Sequence, residues 1–478
     1  MNITTEDGSI AIGKTVTSTE GNVNLQTGTG SILIGQDVTA EKDITITTKE
    51  GSVIVGDTDT GGDGDVLSKK GDVSIQTGEG MVEIVKSVKA QEGSIDIQVG
   101  TGGVAIGNNG PGVETVSAYK NIDVAVDLGR IEINGKTSTK KGDISMSAAE
   151  SEYVPGGQNI IIAQNGELDS GRDARLTGRN GDLHVTDAVK AVRNLNAKVL
   201  DEGDIVYDKT VNVNGDVTAK TDKGSISVAK EVTGNLVDLD TGKGNITVSG
   251  DIRSNTDVTM HTGTGDISVK NVNAQGNTTI SDTGRGNVNG KNIVSGGTTH
   301  VSLTKGDLFL NLAEGKAVVL RMEDNTKASK VGTVLADASG GAGPDVELTG
   351  NYIPIGTLAA KNGNAVFEVT AMGANNQKLI SGEITVGSLR SRTNTHMPTL
   401  WANRGNIHVD EGDLAIDDVL AVDKIHLENK LTDLAIFGRT PTRDGEQLYY
   451  WNNLELANSK TRSFTLYRTG KSGRTGPS

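Results

Sequence analysis

The sequence predicts an all-β protein, a right-handed parallel β-helix (solenoid) with coils of about 21 residues and an irregular C-terminal region. Three observations predict it. The word Gly-(Ser/Asp/Asn)-(Ile/Val)-x-(Ile/Val) recurs along the chain, its clearest copies begin at a nearly constant spacing, and apolar residues alternate with polar ones inside it. Because such strands are too short for useful hairpins, each is expected to pair in parallel with its equivalent one coil later.

The recurring word is clearest at Gly8-Ser9-Ile10-Ala11-Ile12 and begins again at Gly30 and at Gly51. Later in the chain the coils start at nearly even intervals, at Gly203, Gly224, Gly244, Gly265, Gly286 and Gly306. We therefore expect like residues to stack inside the coils, with Ile32 over Val53. Each leading glycine is expected to take a corner conformation that β-branched residues resist.

Two further apolar words follow in each coil. The first is a Val-x-small triplet such as Val38-Thr39-Ala40, and the second is an alternating triplet such as Ile44-Thr45-Ile46. Alternation with period two and β-branched residues at the inward positions is typical of strands. Each coil is therefore predicted to hold three strands. The right-handed sense is expected because parallel crossovers nearly always take it.

Composition restricts both the core and the chemistry. Aromatic residues make up 3% of the 478 residues and glycines number 64, so we expect a narrow core of Val, Ile and Leu. The chain has no cysteine, which excludes disulfides, zinc–thiolate sites, iron–sulfur clusters and thiol nucleophiles. The net charge of −15 argues against nucleic acid as a partner. No stretch reaches the ~18 apolar residues of a membrane span.

The regularity of the repeat predicts three regions. Residues 1–320 are expected to form the β-helix shaft, 321–430 an irregular continuation with loops, and 431–478 an aromatic capping or linker segment with a disordered basic tail. More than half of the aromatic residues lie beyond position 400, where rings would hide an unpaired strand edge. Because the repeat is already running at Gly8, we expect the chain to be a segment of a longer array.

Two coils carry an insertion at the same place, just after the first strand. The first insertion holds Asp57, Asp59, Asp63 and Asp65, whose carboxylates are the oxygen ligands that Ca²⁺ prefers. The alternative is a solvated acidic turn. The turn is favoured because Ser68 stands where an EF-hand loop has its twelfth-position glutamate.

A candidate contact surface combines one edge with one outward strand face. The second insertion contributes Asn108 and Asn109, and both insertions are expected to project from the same edge. Leu33 and Ile54 fall at equivalent outward positions of successive coils and are expected to stack as an exposed apolar ladder. Such a ladder is either covered by the inserted loops or serves as a binding patch.

Neither the histidines nor any catalytic motif predicts a metal site or an active site. His408 and His426 are expected to stack in adjacent coils, and no aspartate or second histidine stands at ligand spacing with the histidines. The sequence has no Gly-x-Ser-x-Gly elbow, P-loop or dinucleotide fingerprint, so we expect no enzyme and no cofactor beyond the calcium ion. A polysaccharide-processing β-helix needs acids on one outward ladder, where Ser227, Thr247 and Ser268 stand instead.

The repeat words resemble those of a known family. Gly30-Ser31-Ile32-Leu33-Ile34 and Gly265-Asp266-Ile267-Ser268-Val269, in an array of regular spacing without cysteine, are similar to the shafts of large bacterial exoproteins of the filamentous haemagglutinin kind. The tail segments 423–427 and 451–456 are similar to leukotoxin-type filamentous adhesins of anaerobic Gram-negative bacteria. The resemblance implies a secreted or surface-held right-handed β-helix, exported through an outer-membrane secretion partner and used in host attachment or toxicity.

The sequence thus leads to one main functional hypothesis and two rivals. The main hypothesis is a non-enzymatic structural and adhesive shaft outside the cell or on the bacterial surface, whose partner is a host-cell or matrix receptor, or a glycan. The first rival is a polysaccharide-processing β-helix enzyme, marked by an acidic cleft on one face. The second is an appendage or surface-layer component, marked by assembly into ordered polymers.

Overall fold

The computed structural model describes residues 1–56, 64–107, 114–149, 158–163, 166–337 and 345–360, and from residue 365 onward the strands alone. Within these residues every regular element is a strand, which confirms the all-β prediction. The strands form a parallel sheet stacked as a β-solenoid, also as predicted. No helix in this described part is long and apolar enough to cross a membrane. The chain divides into two compact units, Met1–Ser254 and Asn255–Ser478.

In the first unit, equivalent strands of successive coils form three parallel ladders, here named A, B and C. Two long strands, Ile95–Ile106 and Ile122–Asn134, each belong first to ladder C and then to ladder A, and Ile246–Ser254 belongs first to A and then to B. The other strands of ladder A are Ile10–Ile12, Ile32–Ile34, Val53–Val55, Val82–Ile84, Gln158–Ala163, Asp182–Val185, Ile205–Tyr207 and Ile226–Val228. The other strands of ladder B are Val16–Ser18, Val38–Ala40, Val66–Ser68, Val88–Ala90, Glu114–Ala118, Lys136–Thr139, Leu168–Ser170, Val189–Ala191, Val211–Val213 and Val232–Gly234. The other strands of ladder C are Asn2–Asp7, Val23–Thr29, Ile44–Glu50, Val73–Glu79, Ile144–Ala148, Ala174–Asn180, Leu195–Glu202, Val217–Lys223 and Val237–Lys243.

The second unit has two ladders of longer strands, here named D and E. Two strands, Asn406–Ala421 and Lys424–Gly438, contribute to both ladders. The other strands of ladder D are Val258–Thr262, Thr278–Asp282, Thr298–Lys305, Ala317–Asp324, Val346–Gly350, Ala365–Ala371, Thr395–Ala402 and Ser463–Arg468. The other strands of ladder E are Ile267–Ala274, Val288–Ser295, Leu308–Gly315, Lys330–Ala336, Tyr352–Ala360, Glu383–Arg390 and Leu454–Leu456. One short antiparallel pair, Thr442–Arg443 with Glu446–Gln447, stands apart from them.

The register between coils follows the period of the sequence. Ile10 pairs with Ile32 and Ile32 pairs with Val53, one coil apart in each case, which confirms the expected stacking. The core is built from such columns of Val, Ile and Leu, most of them fully buried, because alternation sends every second side chain inward. Tyr207 is the largest fully buried side chain, and its hydroxyl has no hydrogen-bond partner among the described residues.

The corner before ladder A is a stack of glycines. Gly30 and Gly51 have φ values of +104° and +125°, in the region that residues with a side chain rarely adopt. A Cβ atom built on Gly51 would also lie 2.4 Å from the carbonyl oxygen of Gly30, one coil below. The glycines therefore allow both the turn and the close contact between coils.

Small polar side chains beside these glycines join one coil to the next. The hydroxyl of Ser31 accepts the backbone N–H of Ser52 at 3.1 Å, and Asp204 Oδ1 accepts that of Ser225 at 2.6 Å. Buried threonines act from the inward side, where the Thr48 hydroxyl donates to the Gly30 carbonyl at 2.9 Å. These bonds satisfy backbone groups at corners that have no strand partner.

Three residues on which the predicted aromatic cap depends, Tyr449, Tyr450 and Trp451, lie outside the described residues. The ladders themselves continue beyond residue 320. Strand Lys330–Ala336 pairs with Tyr352–Ala360 in parallel, and Lys424–Gly438 pairs with Ser463–Arg468. Residues 321–468 thus contribute strands to the same parallel arrangement.

Candidate binding surface

Ladder A carries an apolar column on its outward side in the first coils. Ala11, Leu33 and Ile54 are the central residues of successive short strands, and the register pairs Ala11 with Leu33 and Leu33 with Ile54. The flanking Ile32 and Ile34 are buried, so the strand pleat turns Leu33 outward. Leu33 is 39% exposed and Ile54 is half-buried. The structure thus places the two predicted contact residues in one column.

A groove of about 610 Å³ lies beside this column. Gly13 and Gly35 form part of its wall, and the Gly35 N–H donates to the Ile12 carbonyl at 2.8 Å. Glycine has no side chain, so these two positions add only backbone to the wall beside the apolar column, and Gln36 contributes a polar side chain to the lining. Glu83, which follows Ile54 in the column, adds a carboxylate to the lining. Such a lining suits an apolar side chain or the apolar face of a sugar ring.

Most of the insertion residues cannot be placed in this geometry. Asp57, Asp59, Asp63, Asn108 and Asn109 lie outside the described residues. Two points therefore remain predictions. One is that both insertions project from the same edge, and the other is that the inserted loops cover Leu33.

Asp65 is the one predicted calcium ligand with a described position. Its N–H donates to Asp37 Oδ1 at 2.9 Å, and its carboxylate accepts a hydrogen bond from the Ser87 hydroxyl. Asp37 Oδ1 also accepts the Gly64 N–H at 2.8 Å, so these bonds fix the end of the insertion. The described ranges contain no group of three or more histidines and acids that could hold a metal ion. Since three of the four proposed ligands lie elsewhere, the calcium site stays a prediction.

Sequence reasoning missed an aspartate beside one histidine. His184 Nε2 lies 2.9 Å from Asp208 Oδ2, on neighbouring coils of ladder A. The two residues are 24 positions apart, which is longer than the regular step between coils, so spacing alone did not connect them. The register of their strands pairs His408 with His426.

Two carboxylates stack on the outward side of ladder C. Asp96 and Asp123 are paired in register on adjacent strands, about 4.8 Å apart. Asp123 is at an exposed position; partial desolvation raises its pKa, the charge of Asp96 raises the pKa further, and a hydrogen bond with Ser145 opposes both. Sequence reasoning tested only Ser227, Thr247 and Ser268 for acids, none of which is on ladder C, and did not find this pair. The signal was present, because Ile95-Asp96-Ile97 and Ile122-Asp123-Val124 are the same word one coil apart.

Comparisons of the chain with protein-family models, with curated proteins and with solved structures gave no match.

Proposed function

We propose that the chain is a non-enzymatic structural and adhesive shaft segment that contacts host or neighbouring-cell surfaces through its outward ladders and edge loops. The observation that carries the proposal is the column of Ala11, Leu33 and Ile54 beside a groove. An apolar column on the outward face of a strand ladder is the kind of surface that a partner covers.

The parallel solenoid supports this role physically. Each coil repeats the same outward positions about 4.8 Å further along, so contacts recur at a fixed spacing. Affinity then arises from several weak contacts made together rather than from one deep pocket. The partner in this proposal is a host-cell or matrix receptor, or a glycan.

The parent protein in this proposal is a secreted or surface-exposed bacterial exoprotein of the filamentous haemagglutinin kind, possessing an outer-membrane secretion partner. Its support is the resemblance of the repeat words together with the β-solenoid fold. Detection of the chain in culture medium or on intact cells of its source, and its retention inside cells that lack the secretion partner, would test this part.

The adhesive role is tested by binding of the purified chain to epithelial cells and matrix proteins at micromolar concentration. We expect the double variant Leu33→Ser/Ile54→Ser to bind roughly tenfold more weakly, since loss of about 1 to 2 kcal/mol of apolar burial corresponds to that factor. Val206→Ser, a single apolar-to-serine change at another half-buried outward position of ladder A, is the control. If the unaltered chain does not bind, the adhesive role is wrong and the chain is a spacer. If the double variant binds as well as the unaltered chain, the column is not part of the contact.

A polysaccharide-processing enzyme is the second candidate, and the Asp96–Asp123 stack is the observation that favours it. Glycoside hydrolysis uses two carboxyl groups whose surroundings separate their pKa values. Release of reducing ends from a panel of polysaccharides by the unaltered chain, lost in Asp123→Asn, would favour the enzyme. Activity in neither protein would leave the shaft as the better proposal.

A further inference from the structure

The corner between ladders B and C carries a concentration of positive charge in an acidic chain. Four consecutive turns at this corner, 119–121, 140–143, 171–173 and 192–194, contain five cations and two carboxylates, whereas the whole chain has a net charge of −15. We call the five cations the cationic edge: Lys120, Lys140, Lys141, Arg172 and Arg193.

Backbone hydrogen bonds stack these turns directly on one another. The Lys141 N–H donates to the Tyr119 carbonyl at 2.9 Å, and the Arg193 N–H donates to the Arg172 carbonyl at 2.8 Å. The two pairs of turns are joined by the Gly171 N–H, which donates to the Thr139 hydroxyl at 2.9 Å. At about 4.8 Å a coil, the four turns span about 14 Å. The cations therefore form a row along the first unit.

The two carboxylates of these turns only partly offset the charge. Asp143 Oδ1 accepts the Asp173 N–H, and Asp173 Oδ1 accepts the Asn194 N–H, each at 3.1 Å. The Arg172 Nε lies 3.6 Å from Asp143 and the Arg193 Nε 3.8 Å from Asp173, so these ion pairs are long. Both arginine side chains remain about half exposed, whereas the Asp173 side chain is buried, and five cations against two carboxylates leave an excess of three positive charges at these turns. Positive potential therefore persists at the surface.

Two uncharged residues on the same corner suit a lipid interface. The Tyr119 ring lies 5.5 Å from the Lys140 ammonium and 5.2 Å from that of Lys141. Val192, beside Arg193, is 55% exposed. An amphipathic ring and an aliphatic side chain among long basic side chains are the residues that settle at the boundary between headgroups and acyl chains.

We propose that the cationic edge docks the first unit on an anionic lipid surface, with the basic side chains on headgroup phosphates and with Tyr119 and Val192 at the interface. A convex corner meets a plane along a line, so all four turns reach a membrane together. A linear polyanion is better held in a groove, and the groove beside Leu33 lies on ladder A instead. The inference goes beyond the proposed function because it uses another part of the surface.

The test is cosedimentation of the full chain with vesicles of phosphatidylcholine alone and with vesicles that also contain phosphatidylglycerol. We expect binding only to the anionic vesicles and its loss at high salt. The variant Lys120→Glu/Lys141→Glu/Arg193→Glu should bind at least about 100-fold more weakly, since each basic side chain near such a surface contributes roughly fivefold and each glutamate adds repulsion. Tyr119→Ser should bind more weakly by a smaller factor.

The matched control is Lys14→Glu/Lys49→Glu/Lys243→Glu, which makes the same change in net charge at exposed positions away from the corner between ladders B and C. It should bind like the unaltered chain, and all three proteins should give the same circular dichroism spectrum and denaturant midpoint. Equal weakening by both triple variants would overturn the inference, because net charge alone would then control binding. Binding to a soluble anionic polysaccharide or DNA but not to vesicles would overturn it in favour of a linear polyanion.

The two functional proposals fail separately. If Leu33→Ser/Ile54→Ser loses cell binding and keeps vesicle binding, the apolar column of ladder A is needed for cell binding and not for vesicle binding. If the triple variant of the cationic edge loses vesicle binding, the apolar column of ladder A is not the cause, because neither Leu33 nor Ile54 is altered.

Discussion

At the scale of single residues, the glycine corner combines a conformational and a steric requirement. Gly51 has φ +125°. A Cβ atom at this position would lie 2.4 Å from the carbonyl oxygen of Gly30. We expect Gly51→Ala to lower the free energy of unfolding by about 2 kcal/mol or more, because the backbone strain and the clash add. Gly13→Ala is the control, since its Cβ would meet nothing within 4 Å. Similar denaturant midpoints for the two variants would contradict this account.

Asp282 is a buried carboxyl whose stability effect depends on pH. It is 1% exposed, its Oδ1 accepts the Gly284 N–H at 2.7 Å, and its Oδ2 has no partner in the described part of the chain. Burial raises the pKa of Asp282 and Asp266 raises it further, while the Gly284 N–H and His261 lower it. Because the pKa is higher in the folded than in the unfolded chain, the ionised carboxylate costs stability at neutral pH. That cost is relieved as the pH falls through the folded pKa.

We therefore expect Asp282→Thr to be more stable than the unaltered chain at pH 7, by about 1 kcal/mol. Thr262 holds the equivalent position one coil earlier, so threonine fits this column. The advantage should shrink as the pH is lowered, which denaturant titrations at neutral and acidic pH would measure. Asp201→Thr, at an exposed position, should change the midpoint at neither pH. An advantage independent of pH would point to packing instead of ionisation.

At the scale of the element, the polar residue after each corner glycine has a specific role. Asp204 Oδ1 accepts the Ser225 N–H at 2.6 Å, and its own N–H donates to Asp182 Oδ1 at 2.8 Å. Burial raises the pKa of Asp182, the Asp204 N–H lowers it, and the Asp204 charge raises it. The side chains of the Gly-(Ser/Asp/Asn) word thus join neighbouring coils.

We expect Asp204→Ala to lower the free energy of unfolding by about 1 kcal/mol, because the Ser225 N–H then loses its acceptor. Asp204→Asn keeps that acceptor and removes the repulsion on Asp182, so it should match or exceed the unaltered chain. Chemical denaturation of the three proteins measures the difference. A loss of the same size in both variants would show that the charge, and not the hydrogen bond, matters at this corner.

The elements also show what a periodic pattern can and cannot predict. Alternation identified Ile32 and Val53 as inward and Leu33 as outward, since these depend only on the strand pleat. The word Gly-Ser-Ile also marked the corner correctly. The word did not show that the Ser31 hydroxyl accepts the Ser52 N–H from the next coil. Such a prediction would require knowing which backbone group at the corner has no strand partner.

At the scale of the whole molecule, the net charge of −15 at pH 7 makes copies of the chain repel one another. The sequence pI is near 5.0, so this repulsion vanishes on mild acidification. We expect light scattering to rise as the pH is lowered from 7 to 5 and to fall again on neutralisation. The triple variant of the cationic edge should shift the onset to lower pH, because it adds negative charge. A sample that stays monodisperse at pH 5 would contradict this expectation.

The sequence by itself determined the fold class, the length of the coils, the inward columns and the stacking of Leu33 on Ile54. These are local, repeating properties, and a period of about 21 residues carries them from coil to coil. Only the tertiary structure decided that Asp208 lies beside His184, that Asp282 is buried without a full set of partners, and that Lys141 and Arg172 share one edge. The reason is that coils differ in length. Contacts between coils therefore depend on the actual separation of two residues in the sequence, and on how each corner turns. For Lys141 and Arg172 this separation exceeds the regular period.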